Sequence, residues 1–162
     1  MSRVVEILNL ARAMELQAIS LYMQQHYILS DKLMHKLAHA MKKIAIQEMR
    51  HAELLAERIL DLDGKPIALP AGPTQPGADV LSLYAQAFEL ERETTTAYQQ
   101  YVSELMPLDA VSGDLLKRIL AEESGHQSYF FEIQEIIRLS GDTFLSLQTG
   151  GKYSAPDYVK KV

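Results

Sequence analysis

Apolar side chains recur along most of this chain at intervals of three or four residues, which is the spacing of an amphipathic helix. No short stretch alternates apolar and polar side chains as a half-buried strand would. Prolines occur only at 66, 70, 73, 76, 107 and 156, so long blocks of the chain are free to be helical. We therefore predict an all-α protein with helices over about 3–29, 31–62, 79–106 and 112–140.

Polar residues and glycines indicate where these helices end. Ser30 or Asp31 is predicted to cap the second helix, and Asp79 is predicted to cap the third. The turn before the fourth helix is expected at residues 107–113, and a short fifth helix at 142–148. The length of 162 residues suits a single domain over 1–162, with a polar tail at 150–162.

The connection between the second and third helices, residues 64–78, is too long for a simple turn. At about 3.3 Å per residue it could span about 50 Å. A helix of 30 residues is about 45 Å long, so this loop can run the length of a bundle. The second and third helices would then be parallel, and one long crossover of this kind is typical of ferritin-like four-helix bundles.

Composition excludes several classes of protein. Because the chain has no cysteine, disulfide scaffolds, thiolate metal sites and cysteine nucleophiles are excluded. The net charge of -5 comes without a basic stripe, which argues against a nucleic-acid partner. No apolar run reaches the roughly 18 residues of a membrane span, so we expect a cytoplasmic protein with no membrane partner.

Each predicted helix has an apolar stripe that is interrupted near its middle by an acidic residue. On the second and fourth helices, a histidine follows that glutamate by three residues, on the same face. The residues in question are Glu15, Glu48, His51, Glu91, Glu123 and His126. The neighbouring Glu122 lies off the stripe and is expected to be a surface residue.

Four buried carboxylates would be costly without a counter-charge, and two divalent cations would balance them. Di-iron and di-manganese bundles have a characteristic ligand set. Two of their helices each provide one glutamate, and the other two each provide a Glu-x-x-His motif. Carboxylate and imidazole ligands suit iron or manganese, so the residues themselves leave both metals open.

The two halves of the chain repeat this pattern. Glu15 and Glu91 lie 76 residues apart, as do Tyr22 and Tyr98, and the two Glu-x-x-His motifs lie 75 residues apart. A pseudo-two-fold metal site requires such a repeat. Tyr22 is compatible with two roles, either as a packed core residue or as a hydrogen-bond or electron donor beside a redox metal.

Three stretches resemble bacterioferritins: residues 14–19 with Tyr22, residues 47–53, and residues 121–126. Residues 142–148 resemble the short fifth helix of that family. The resemblance implies that the six residues named above bind two iron ions, with Glu48 and Glu123 bridging, and that Tyr22 lies beside them. It also implies a 24-subunit shell built from dimers, which oxidises Fe(II) with oxygen or peroxide and stores ferric mineral, with a ferredoxin-type reductant releasing it.

Met49 lies between the glutamate and the histidine of the second-helix motif, about 100° away from the core stripe. We expect the small residues Ala45, Ala52 and Ala56 to share its face and to leave room for a flat group. From the residues alone, subunit packing explains a methionine there. The resemblance implies that Met49 is the axial ligand of a b-type haem at a two-fold interface.

Two positions depart from the family. Some bacterioferritins have a cavity-facing aspartate and histidine where this chain has Gln47 and Lys43, so we expect that inner-surface iron site to be absent. The departure supports an alternative function, a di-iron or di-manganese peroxidase or catalase that retains its metals. A third hypothesis, a metal-free interaction bundle, would leave the buried acids without compensation.

Overall fold

The computed structural model describes residues 2–149, and in that range the chain is helical with no strand. The helices are α1 (Arg3–Asp31), α2 (His35–Asp61), α3 (Val80–Leu108) and α4 (Ala110–Ser146). The backbone leaves the helical region at Gly141, where φ is 47° and ψ is -127°, so α4 ends in a short separate helical segment. The predicted all-α bundle with a short fifth helix is confirmed, whereas the predicted tail at 150–162 lies outside the described residues.

Two apolar clusters fill the two ends of the bundle. The first core cluster joins the end of α1, the start of α2, the start of α3 and the end of α4, and includes Leu21, Leu29, Leu37, Met41, Leu83, Ala87 and Phe130. The second core cluster joins the opposite halves of the same helices, and includes Leu8, Ala11, Leu55, Ile59, Tyr98, Leu105 and Leu116. Because the starts of α2 and α3 lie at the same end, these two helices are parallel, as the loop length predicted.

The crossover between α2 and α3 lies along α1. Asn9, Ala13 and Gln17, on successive turns of α1, all hydrogen-bond to it. The partners are the carbonyl of Lys65 at 3.0 Å, the N–H of Ala71 at 2.8 Å and the carbonyl of Pro73 at 3.1 Å. These bonds satisfy backbone groups of a segment that has no secondary structure of its own.

The turn between α1 and α2 differs from the prediction. Neither Ser30 nor Asp31 caps α2, because α1 continues through both, and the N-cap of α2 is Met34, which makes no side-chain capping bond. Beyond Asp31, carbonyls in the last turn of α1 accept the next N–H groups, including that of Met34 at 2.9 Å from the Leu29 oxygen, and these bonds close the end of the helix. Asp79 does cap α3, in a reciprocal capping box with Ser82.

The predicted turn at 107–113 is wrong. Pro107 lies in the last turn of α3, and the single residue Asp109 separates α3 from α4. Asp109 accepts hydrogen bonds from the N–H groups at the start of α4 and from Arg58 of α2, at 2.6 Å. Gly113 lies inside α4, where a Cβ atom would come within 2.6 Å of the Met106 sulfur. That glycine permits close packing of α3 on α4 and does not make the turn.

Replacing Asp109 with alanine should lower the free energy of unfolding by about 1–2 kcal/mol, because α4 loses its N-cap and Arg58 loses its partner. Denaturant unfolding measures this loss. Asp114→Ala, a surface change four residues before Arg118 on α4, is the matched control and should have a much smaller effect. Equal stability of the two variants would contradict the assigned cap.

Candidate metal centre

The four interrupted stripes meet between the two core clusters. Each helix contributes one glutamate there, and α2 and α4 each add a histidine one turn later. All six side chains predicted as ligands are buried: Glu15, Glu48, His51, Glu91, Glu123 and His126. Because apolar layers close the bundle above and below them, these charged groups are isolated from bulk water.

The six residues form two overlapping groups whose candidate ligand atoms lie within 4.8 Å of one another. The first half-site consists of Glu15 and His51 together with Glu48 and Glu123. The second half-site consists of Glu91 and His126 together with the same two glutamates. Glu48 and Glu123 are therefore shared, which is the position that bridging carboxylates occupy in a two-metal site.

Distances between side chains show how the sharing works. The Nδ1 atom of His51 lies 3.1 Å from Glu48 Oε2 and 2.6 Å from Glu123 Oε1. The Nδ1 atom of His126 lies 2.8 Å from Glu48 Oε1 and 3.2 Å from Glu123 Oε2. Each shared carboxylate thus turns one oxygen toward each half-site, and both histidines turn Nδ1 inward.

The electrostatics of the cluster favour added positive charge. Burial, followed by repulsion from the other carboxylates, raises the pKa of both Glu15 and Glu91. Burial opposes the charging of His126, but its close contacts with the carboxylates of Glu123 and Glu48 raise its pKa to about 9. The same balance between burial and neighbouring carboxylates raises the pKa of His51 by more than that of His126. Without metal, protons therefore compensate the carboxylates, and divalent cations could replace those protons.

Two buried carboxylate oxygens lack a hydrogen-bond partner, which bears directly on whether the cluster suits a cation. Glu48 Oε1 and Glu123 Oε1 have no hydrogen-bond donor with suitable geometry, although a histidine nitrogen lies near each. Buried carboxylate oxygens without a donor are rare in proteins and need another partner. The donor set of four carboxylates and two imidazoles is suited to two iron or manganese ions.

Two buried tyrosines hold the outer carboxylates. Tyr22 donates a hydrogen bond to Glu91 Oε1, and Tyr98 donates one to Glu15 Oε1, so each tyrosine binds the glutamate of the other half of the chain. Burial and the adjacent carboxylate raise the pKa of both hydroxyls, which therefore remain protonated donors. The sequence pointed to Tyr22 beside the site, and the repeat that it shares with Tyr98 extends to the same hydrogen bond.

Both histidines also have outer contacts that the helical pattern of the sequence does not predict. His51 Nε2 lies 3.1 Å from Glu122 Oε2, and His126 Nε2 lies 3.1 Å from Gln47 Oε1. Glu122 is half exposed, but it is more than the surface residue that was expected. The sequence offers one clue to these contacts, because Glu122 and Gln47 each directly precede a stripe glutamate in matching motifs.

Met49 lies outside the metal centre, on the exposed side of α2. Its side chain is 48 % exposed, whereas Ala45 and Ala52 are buried. The expectation that these two alanines form an open face beside Met49 is therefore wrong, because they pack inward. Ile46, one turn earlier, supplies exposed apolar surface beside the methionine.

Among residues 2–149, no helix combines the length and the apolar character needed to cross a membrane.

Comparisons with known proteins agree with this geometry. A profile of the ferritin-like domain matches residues 5–139. A bacterioferritin from Desulfovibrio desulfuricans is 43 % identical over 92 % of this chain and 84 % of its own. One from Streptomyces coelicolor is 30 % identical over 95 % of this chain and 92 % of its own.

A solved structure of the Desulfovibrio desulfuricans bacterioferritin, described with its diiron site in different catalytic states, superposes with a TM-score of 0.89. That match covers 91 % of this chain and 87 % of the other, at 43 % identity. The fold, the buried carboxylate and histidine cluster, and the identity along nearly the whole chain agree. The chain belongs to the ferritin-like domain family and, within it, to the bacterioferritins.

Proposed function

We propose that this protein oxidises Fe(II) at the buried cluster of each subunit and stores the ferric product inside a hollow shell. One observation carries the proposal: two half-sites share two buried carboxylates, and all their candidate ligand atoms converge. Membership of the bacterioferritins and the likeness to a structure with a diiron site support iron as the metal.

Charge explains why two ions would bind together. Four carboxylates carry a charge of about -4 when ionised, and two divalent cations neutralise them while both imidazoles stay uncharged. Glu15 and His51 would hold one Fe(II), Glu91 and His126 the other, and Glu48 and Glu123 would contact both. Manganese is compatible with the same ligands.

The reaction follows from placing two one-electron donors side by side. Each Fe(II) ion, as substrate, gives up one electron and becomes Fe(III). The two electrons, with two protons taken up from solution, reduce either oxygen to hydrogen peroxide or hydrogen peroxide to two molecules of water. The protein fixes the ligands and excludes water through its two core clusters. Tyr22 supports this role by holding Glu91 in place from a fully buried position.

We propose a second cofactor, a b-type haem bound by Met49 at a two-fold interface. A thioether is an established axial ligand of haem iron. An exposed methionine beside exposed Ile46 fits that role, since its sulfur is not committed to the core of its own subunit. Haem bound there would supply electron-transfer chemistry at the surface of the subunit.

The proposed assembly is a 24-subunit shell built from dimers, working in the cytoplasm, with a ferredoxin-type reductant releasing stored iron. Family membership supports an assembly of identical subunits. We propose no nucleic-acid or membrane partner.

One observation favours an alternative, a di-iron or di-manganese redox enzyme that retains its metals. Gln47 binds His126, and Lys43 is an exposed cation one turn earlier on the same face of α2. Neither residue provides a carboxylate to receive an ion that leaves the centre. The measurement that separates storage from retention is the ratio of iron to protein after loading.

Replacing Glu48 with alanine should abolish rapid Fe(II) oxidation, because both half-sites lose a shared ligand. The initial rate should fall by about 100-fold or more, since even outer partners of metal ligands cost 10–100-fold. Stopped-flow absorbance of ferric product measures the rate, with circular dichroism as the test of folding. Glu57→Ala, an exposed position on the same helix, is the control, and wild-type kinetics in Glu48→Ala would refute the assigned site.

Met49→Leu should remove haem absorbance from the purified protein while the bundle stays folded, because leucine keeps the volume but cannot ligate iron. Met106→Leu, a change at another half-exposed methionine, is the control and should leave any haem spectrum unaltered. Haem retained by the Met49 variant would overturn the proposed ligand.

A further inference from the structure

The two histidines of the metal centre have outer partners of different charge. In each half of the chain, the residue just before a shared glutamate reaches across to the histidine of the other half. The two contacts have the same length, 3.1 Å, and both involve the Nε2 atom that faces away from the centre. The partner of His51 is the carboxylate of Glu122, whereas the partner of His126 is the neutral amide of Gln47.

This difference acts on metal binding through the imidazole ring. A histidine that ligates through Nδ1 carries its proton on Nε2, and the acceptor of that N–H fixes the orientation and the donor strength of the ring. A carboxylate forms a stronger, charge-assisted hydrogen bond than an amide does. His51 is therefore the better oriented and more strongly donating ligand of the two.

The charges and exposure around the two outer partners also favour tighter metal binding at His51 than at His126. Lys43 and Arg50 lie one turn before and after Gln47 on α2, and both are exposed cations on its face of the helix. On α4, the cation one turn before Glu122 is Arg118, which pairs with Asp114 at 3.4 Å. The side chain of His126 is also more exposed than that of His51, at 8 % against 2 %.

We propose that Glu122 and Gln47 are positioning residues that make the half-sites unequal, so that the first half-site binds a divalent cation more tightly than the second. This inference rests on the proposed function, since it assumes that the cluster binds two metals. The ion beside His126 is then the last to bind and the first to leave.

Titration of the metal-free full-length protein with Co(II), followed by its visible absorption bands, measures the two stepwise dissociation constants directly. Wild-type protein should bind two Co(II) per chain in two resolved steps. Glu122→Gln should raise the dissociation constant of the tighter step by about 10–100-fold and leave the weaker step unchanged. Gln47→Glu should lower the dissociation constant of the weaker step alone.

Glu132→Gln is the matched control, because it removes the same charge from an exposed position on α4, about 15 Å further along the helix. Glu122→Asp should restore part of the tighter binding, which a general loss of negative charge would not explain. The inference is overturned if Glu122→Gln titrates like Glu132→Gln, or if both steps shift equally. If wild-type protein binds two Co(II) per chain, the metal centre stands whichever way the variants titrate. If wild-type protein binds fewer than two, the centre and the inference are overturned together.

Discussion

Four carboxylates buried together at the centre of the bundle repel one another, and the rest of the structure is arranged around that repulsion. Apolar clusters on both sides exclude the water that would otherwise screen these charges. Without metal, raised pKa values at Glu15, Glu91 and both histidines retain protons that offset the charge. Two cations would satisfy the same groups, so the stability of the core and the binding of metal depend on one another.

Pseudo-two-fold symmetry explains how one chain builds a two-metal centre. Each half contributes a glutamate, a Glu-x-x-His pair and a tyrosine, and in each half the tyrosine binds the glutamate of the other. The symmetry brings like residues to equivalent places around the shared carboxylates. It is broken at Gln47 and Glu122, where one histidine has an amide partner and the other a carboxylate. A symmetric frame with unequal outer contacts is suited to two ions that bind and leave in order.

Much of the fold and of the candidate centre was predictable from the sequence, because a charged residue on an apolar stripe is visible in the helical period. The six buried residues were found in this way, and the length of the 64–78 loop implied the parallel placement of α2 and α3. Contacts that depend on how helices approach one another were not predictable. Glu122 lies off its stripe and reaches His51 only because of the packing of α2 against α4.

The sequence predicts helix ends and the burial of small residues less well, for a related reason. Local rules assign proline and glycine to turns, but Pro107 is tolerated in the last turn of α3 and Gly113 accommodates Met106 inside α4. The angle between successive helical residues alone predicts Ala45 and Ala52 beside Met49, whereas packing buries both.

If the buried cluster feeds a store of iron, the ratio of iron to protein after loading shows it most directly. Fe(II) is added in air in large excess, the product is passed through a sizing column, and the iron that elutes with protein is counted. We expect iron far above two per chain in a peak of shell size. Iron at about two per chain in a small oligomer would contradict storage and indicate a centre that keeps its metals.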